Sequence, residues 1–278
     1  MVTVPSGLES QRALGPEWAA WLDRLPGLAE SVLSDWELVV DGESMHGFCS
    51  LVLPVRTPSG ANAVLKLHTD ADAEESDHEH IALQRWRGRG AVRLLRADPA
   101  RRALLLERLD QVDLTGHWDE EACEIVARLY GRIHVPPMPQ LRKQASYVAR
   151  WIAALERDAH AVPVPRRLVD QAASVARDLC TEAAISVIHG DLHYENVMLG
   201  ERGGEPTWLV IDPKPTNGDP HFEVHPMLRN RFDEYGGAGT GSVREGIRRR
   251  FHTLVDTAGF DEPRARDWVV VRSILDAH

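Results

Sequence analysis

Two short apolar runs, each delivering a carboxylate to the start of a loop, constrain this chain most. The first is Ile185 to Ile188, followed by His189-Gly190-Asp191-Leu192-His193-Tyr194-Glu195-Asn196-Val197. The second is Leu209-Val210-Ile211, followed at once by Asp212. A strand that ends in a polar loop places its next side chain at the rim of a cleft. The set is two acids and one amide, spaced Asp-x4-Asn and then Asp after a hydrophobic strand. Phosphoryl transfer from a nucleotide uses such a set: one carboxylate orients the attacking hydroxyl, and an amide oxygen and a second carboxylate hold Mg²⁺ against the phosphates. Asp191 is therefore the expected catalytic base, and Asn196 and Asp212 are the expected metal ligands. Taken singly, each reads equally well as a turn residue or a helix cap, and only the combination is specific.

Lys66 lies in Ala63-Val64-Leu65-Lys66-Leu67. A lysine inside an apolar strand is costly unless its ammonium has partners. The expected partners are nucleotide phosphates and a glutamate of the acidic helix that follows. Glu79 is the preferred glutamate and Glu75, one turn earlier on the same face, the second choice. The other reading is a lysine on the solvent face of an edge strand. His189, two residues before Asp191, is expected to serve the loop as a hydrogen-bonding residue, because Asp191 already fills the proton-accepting role. His78 and His80 are two apart on a helix and do not face one ligand.

The chain has 278 residues, enough for one large domain or two lobes with real cores. It is 43% hydrophobic and 27% charged, as ordinary globular proteins are. A net charge of −10 argues against nucleic acid as a partner. It suits a cationic small-molecule acceptor, and it suits solubility alone equally well. Cys49, Cys123 and Cys180 are far apart with no CxxC pair, so neither a disulfide framework nor a zinc site is expected. The first residues carry no basic segment followed by an apolar run, and no apolar stretch approaches a membrane span, so the expected setting is cytoplasmic.

Periodicity divides the chain. Helical patterns run through Trp18 to Leu25 and, after an interruption at Pro26-Gly27, through Leu28 to Leu33. Strands are expected at Trp36 to Val40, Phe48 to Val55 and Ala63 to Leu67, with a turn at Thr57-Pro58-Ser59-Gly60 and a connection over Asp41 to Gly47. A charged helix over Glu74 to Trp86 and strands near Val92 to Leu95 and Ala103 to Glu107 follow. Beyond Asp110 the pattern is mostly helical, at Glu121 to His134, Tyr147 to Leu155, Leu168 to Leu179, Val224 to Arg231, Val243 to Val255 and Arg264 to Leu275, with short strands around the Asp191 loop. Gly236 to Gly241 reads as a loop; no strand precedes it, which disfavours a phosphate cradle. The expected division is an N-terminal nucleotide-binding lobe over residues 1–110 and a helical catalytic and substrate-binding lobe over 111–278.

The His-x-Asp-x4-Asn spacing with its strand-terminal Asp resembles the catalytic and metal-binding loops of the protein-kinase-like fold. Taken with Lys66, Gly90-Ala91-Val92-Arg93-Leu94-Leu95, Leu104-Leu105-Leu106-Glu107-Arg108-Leu109, Ile211-Asp212-Pro213-Lys214-Pro215, Gly218-Asp219-Pro220 and Pro226 to Arg231, the chain resembles the aminoglycoside phosphotransferase superfamily. The closer likeness is to its streptomycin 6-kinase and hydroxyurea phosphotransferase branch, and the Asp-Pro-Lys-Pro run is the branch-specific part. The resemblance implies an α+β, two-lobe kinase-like fold, with an N-terminal antiparallel sheet and one crossing helix, and a mostly helical C-terminal lobe. It implies an ATP- and Mg²⁺-dependent O-phosphotransferase acting on a small molecule, an antibiotic such as streptomycin or hydroxyurea. In such a cleft the linker backbone binds adenine, here through the Glu107 carbonyl and the Leu109 N–H. Lys66 matches the phosphate-binding lysine.

This sequence departs from the wider pattern in three places. Asp41 to Gly47 is not a GxGxxG loop. Asp212 is followed by Pro213, and a rigid Pro-Lys-Pro is not expected to flip as an activation switch. The sequence also ends at His278, close behind the last helical pattern, where members of this branch usually continue further, which leaves open whether the substrate-side lobe is complete. Two other functions compete: a metabolic kinase for an amino alcohol or sugar, and a non-catalytic nucleotide-binding module, against which an intact base argues. Glu195, Glu223, Asp233 and Glu234 lie near the loops and either line a site for an ammonium or guanidinium group or are solvated surface charges.

Overall fold

The computed structural model describes residues 2–71, 77–157, 163–235 and 241–277. The chain divides into two compact units, Met1–Asp110 and Gln111–His278. The second-choice Glu75, the start of the helix expected from Glu74, and Gly236–Ala238–Gly239 with their neighbours up to Thr240 lie outside the described residues.

The first unit opens with a short helix α1 (Ser6–Glu9), a 3-10 turn (Ser10–Leu14) and a long helix α2 (Pro16–Asp35). An antiparallel sheet follows, from β1 (Val39–Val40), β2 (Met45–His46), β3 (Ser50–Arg56), β4 (Asn62–His68), β5 (Leu94–Asp98) and β6 (Ala103–Glu107). Its order is β1-β3-β4-β6-β5, with β2 also paired to β3. The helix α3 (Glu79–Trp86) lies between β4 and β5 in sequence. Successive strand residues point to opposite faces. Leu51, Leu53 and Val55, with Ala63, Leu65 and Leu67, and Ala103 and Leu105, form one face and cluster with Trp21, Leu25, Ala29 and Val32 of α2. Lys66, between Leu65 and Leu67, therefore points to the other face.

The expected break at Pro26-Gly27 does not occur, because α2 runs through Pro26. An interior proline costs a helix about 3 kcal/mol. Large apolar side chains recover about 1.5–3 kcal/mol each when fully buried. The stripe Trp18, Trp21, Leu22, Leu25, Ala29 and Val32 is buried on both sides of Pro26, so packing outweighs the lost hydrogen bond. The strand expected from Trp36 is reduced to Val39–Val40 for a related reason. Leu38 N–H donates to Leu33 O (2.8 Å) and Glu37 N–H to Ser34 O (3.1 Å), with Glu37 left-handed at φ 54°. That is a Schellman-type stop, closed by Leu38 and Leu33 in the same apolar cluster. β2 falls in what the sequence reads as a connection, and β5 is shifted by a bulge between Leu94 and Arg96.

The second unit holds the helices α4 (Asp119–Ile133), α5 (Gln144–Arg157), α6 (Arg166–Leu179), α7 (Val224–Arg229), α8 (Val243–Ala258) and α9 (Glu262–Leu275). α4 buries Ala122, Val126, Leu129, Tyr130 and Ile133, the 3–4 spacing visible in the sequence. A second cluster joins Val148, Ile152 and Leu155 of α5, Val169, Ala172 and Ala176 of α6, Phe222, and Trp268, Val271 and Leu275 of α9. α8 begins at a capping box in which Ser242 and Glu245 satisfy each other's backbone N–H. Among these helices run two antiparallel ribbons, β7 (Ser186–Ile188) with β10 (Thr216–Gly218), and β8 (Val197–Arg202) with β9 (Glu205–Val210). The antiparallel sheet, with α3 between β4 and β5 in sequence, and the helical second unit make the α+β fold expected from the sequence. Among the described residues no helix is long and apolar enough to cross a membrane.

Candidate active site

Register brings the motif residues together. β7 and β10 pair Ile188 with Thr216, so the loop leaving Ile188 and the loop entering Thr216 emerge at the same end of one ribbon. β8 and β9 pair Val197 with Val210, so Asn196 and Ile211 sit side by side at the open end of the other. Ile211 N–H donates to Asn196 O at 2.9 Å and closes that end. Asp191, Asn196 and Asp212 thus belong to one framework although 21 residues separate the first from the last.

Backbone and side-chain contacts then lock the two loops. Lys214 N–H donates to His189 O at 2.8 Å. The buried His189 ring donates from Nε2 to Ile211 O at 2.9 Å, and its Nδ1 accepts from Asp191 N–H at 3.3 Å. Burial holds this imidazole below its ordinary pKa, and both ring nitrogens are occupied as in the neutral form. His189 is a strut of the loop. Gly190 has φ +86°, and a Cβ there would lie 2.5 Å from Lys214 O, so glycine is required both by conformation and by the close approach. Asn196 Nδ2 donates to Asp191 O at 2.8 Å and lies 3.1 Å from His193 Nε2, which fixes the amide plane. Asp212 is left-handed at φ 54°, an uncommon conformation for a residue other than glycine.

Glu223 completes the lock. It is 0% exposed. Its Oε1 accepts the N–H of His189, both its oxygens accept Gly190 N–H at 3.3–3.4 Å, and His134 Nε2 lies 3.5 Å away. Burial pushes the carboxyl up, but His134, His189 and the backbone donors more than offset it and leave the group below the usual glutamate range. Tyr130 Oη donates to Glu223 O at 2.9 Å. Among the acids near the loops in sequence, Glu223 is therefore neither surface charge nor ligand: its carboxylate is committed to the loop backbone. Glu195, Asp233 and Glu234 are exposed, and Glu234 pairs with Arg231 at 2.6 Å. Asp219 anchors the segment beyond β10, accepting from His221 N–H and from Trp268 Nε1 at 2.7 Å, with Arg264 beside it. Burial raises its carboxyl, yet the His221 ring, 2.6 Å away, the Trp268 indole and the His221 backbone N–H hold it at about 2.

Asp191 is partly exposed, with Lys214 Nζ 3.0 Å from Oδ2. Burial pushes its carboxyl up, and Lys214 and His193 pull it further down, so it stays ionised below the usual carboxylate range. Among the described residues no three His, Cys, Asp or Glu side chains gather to hold a metal by themselves. A carboxylate and an amide oxygen are hard donors of the kind Mg²⁺ takes beside phosphates and waters, and the residue types at Asp212 and Asn196 would fit such an ion.

In the first unit Lys66 is 6% exposed, and its Nζ lies 2.9 Å from Glu79 Oε2. The same oxygen lies 2.8 Å from His68 Nε2. Glu79 is the first residue of α3, whose N-terminus favours negative charge. Glu107 ends β6 opposite Ala63, and its Oε1 accepts Arg93 N–H at 2.7 Å. Leu109 follows just before the boundary between the units.

Residues 35–278 match the model of the aminoglycoside/hydroxyurea antibiotic resistance kinases. The chain belongs to that family. It is 38% identical over 284 aligned residues to a streptomycin 6-kinase of Streptomyces glaucescens, covering 100% of this chain and 90% of that protein. It is 39% identical over 261 residues to a hydroxyurea phosphotransferase of Kitasatospora aureofaciens, covering 91% and 72%. An aminoglycoside phosphotransferase from Streptomyces rimosus shares the fold, with a TM-score of 0.61 at 16% identity over 91% of this chain and 98% of that one. The family and branch expected from the Asp-Pro-Lys-Pro run are thus the ones found, and this kinase is a phosphotransferase.

Proposed function

We propose that this kinase transfers the terminal phosphoryl group of ATP to a hydroxyl of an antibiotic, streptomycin or hydroxyurea, and thereby inactivates it. The observation that carries this reading is Asp191. It is a carboxylate held ionised on a loop that Glu223, His189 and Lys214 fix from three sides. Fixed geometry supplies much of the rate in phosphoryl transfer, where the protein does little covalent chemistry. The names of the relatives supply the acceptor class.

In this reading Asp191 accepts a hydrogen bond from the acceptor hydroxyl and takes its proton as the oxygen–phosphorus bond forms. Lys66, aligned by Glu79, binds the nucleotide phosphates. The Glu107 carbonyl and Leu109 N–H receive the adenine edge. Asn196 and Asp212 hold Mg²⁺, which when bound neutralises phosphate charge. Residues 1–110 form the nucleotide-binding lobe, and residues 111–278 the catalytic and acceptor-binding lobe. Supporting this division of labour, the Lys66–Glu79 pair belongs to the first unit and the Asp191 loop to the second.

The test is an ATP-consumption screen over streptomycin, other aminoglycosides, hydroxyurea and amino alcohols, with the product weighed by mass spectrometry. A product carrying one added phosphoryl group on streptomycin or hydroxyurea is expected. Turnover confined to amino alcohols or sugars would favour a metabolic kinase, and binding of ATP without any turnover a non-catalytic module.

A further inference from the structure

We propose that Arg250 is a positioning residue for the Asn196 amide, acting through the ring of Tyr194. The proposal rests on the reading above in which Asn196 holds Mg²⁺. Arg250 belongs to α8 and is 1% exposed. Its Nε donates to Oδ2 of Asp119, the first residue of α4, at 3.1 Å, and its Nη1 to Asn230 O, just past α7, at 2.9 Å. Its guanidinium carbon stands 4.1 Å from the centre of the Tyr235 ring and 5.5 Å from that of the buried Tyr194 ring. Arg231 lies over the Tyr194 ring as well, at 4.7 Å, and its Nη1 donates to His117 O at 2.9 Å. Two guanidiniums, each tied elsewhere in the second unit, therefore hold one tyrosine ring.

Tyr194 is the first residue of the 3-10 turn Tyr194–Asn196, which Asn196 N–H closes on His193 O at 3.0 Å. In so short a turn the first residue cannot shift without carrying the last. Asn196 Nδ2 is engaged by Asp191 O and His193 Nε2, which leaves Oδ1 as the end of the amide that can meet a cation. Glu223 locks the His189–Gly190 end of this loop, and the Arg250–Tyr194 contact holds the Asn196 end. Stability alone does not account for a cation at this place. A buried ion pair is often matched or bettered by apolar side chains of similar volume. Groups that hold a metal ligand from behind act differently: their loss lowers metal affinity about 10–100-fold. A planar guanidinium over a ring face suits that task, because it fixes the ring by attraction to its π-electrons while bonding elsewhere through its edge.

The competing role is structural, with Arg250 bracing the helices and nothing more. ADP binding separates the two, measured by calorimetry with Mg²⁺ and with EDTA, beside a melting curve for each variant. Arg250→Met and Tyr194→Leu are each expected to weaken Mg²⁺-dependent ADP binding about 10–100-fold, with ADP affinity in EDTA unchanged. The double variant should lose no more than either single one, because both break the same contact. Tyr194→Phe keeps the ring face and should bind as the parent does. Tyr194→Leu leaves the Arg250–Asp119 pair intact, so it carries the test should Arg250→Met fail to fold. Folded variants with the parent's Mg²⁺ dependence, an equal loss with and without Mg²⁺, or additive losses in the double variant would overturn the proposal. A parent whose ADP binding ignores Mg²⁺ would instead remove the metal reading of Asn196, and the proposal with it.

Discussion

Glu223→Gln tests whether the buried carboxylate organises the loop that carries Asp191. In the parent, one carboxylate accepts two consecutive backbone N–H groups, those of His189 and Gly190, with His134 close by. Hydrogen bonds to charged groups contribute about 1.5–3 kcal/mol each, and a buried donor left without a partner costs about 1–3 kcal/mol. The amide keeps one acceptor oxygen and turns a donor toward the second N–H, so the loss should be on the order of 2–4 kcal/mol. The charge also imposes a pH signature. The folded-state carboxyl sits below the ordinary glutamate range, so its contribution is complete above that range and is lost as pH falls through the folded-state value. Chemical denaturation of both proteins from neutral pH down to the carboxylate range would show the parent losing stability over that window and the variant losing less. Turnover should fall as well, because a misplaced loop misplaces the base. A variant with the parent's stability, the parent's pH dependence and the parent's kcat would refute the reasoning.

Two further outcomes follow from the same geometry. Asp212→Ala should abolish Mg²⁺-dependent nucleotide binding, since it removes the anionic metal ligand proposed above; titrating Mg·ATP against the variant checks it, and an unchanged affinity would move the metal site elsewhere. Glu79→Ala leaves the Lys66 ammonium buried with its ion-pair partner removed, which by the cost of breaking a buried pair destabilises the protein by about 3–5 kcal/mol; a melting curve and denaturant titration would measure it, and wild-type stability would contradict the buried pairing at 2.9 Å.

The helical second unit was legible because its apolar stripes are local. Ala122, Val126, Leu129 and Ile133 repeat every three or four residues whatever packs on them. The Asp191, Asn196 and Asp212 grouping was legible because Asp191 and Asp212 each come soon after an apolar run and Asn196 stands five residues after the first of them. Lys66 with Glu79 was legible because a lysine in an apolar strand demands a partner nearby in sequence. The rest depended on tertiary contacts. Pro26 reads as a break until Ala29 and Val32 are seen to share a core with the sheet. Glu223 lies 34 residues from His189, and nothing in its own surroundings tells a loop-locking carboxylate from a surface one. Lys214 stands in the run that marks the branch, but its bond to Asp191 needs the Ile188–Thr216 register, which no local pattern states.

The most direct measurement compares the parent and Asp191→Asn on streptomycin and hydroxyurea with Mg·ATP, following acceptor mass and nucleotide binding in the same samples. The account predicts a phosphorylated acceptor with the parent. It predicts a rate lower by about 10²–10⁴-fold with the variant, because a general base has been removed. It also predicts nearly equal ATP affinity for the two, since Asp191 meets the acceptor and not the nucleotide. Near-normal transfer by Asp191→Asn, or an equal loss of ATP binding, would contradict it.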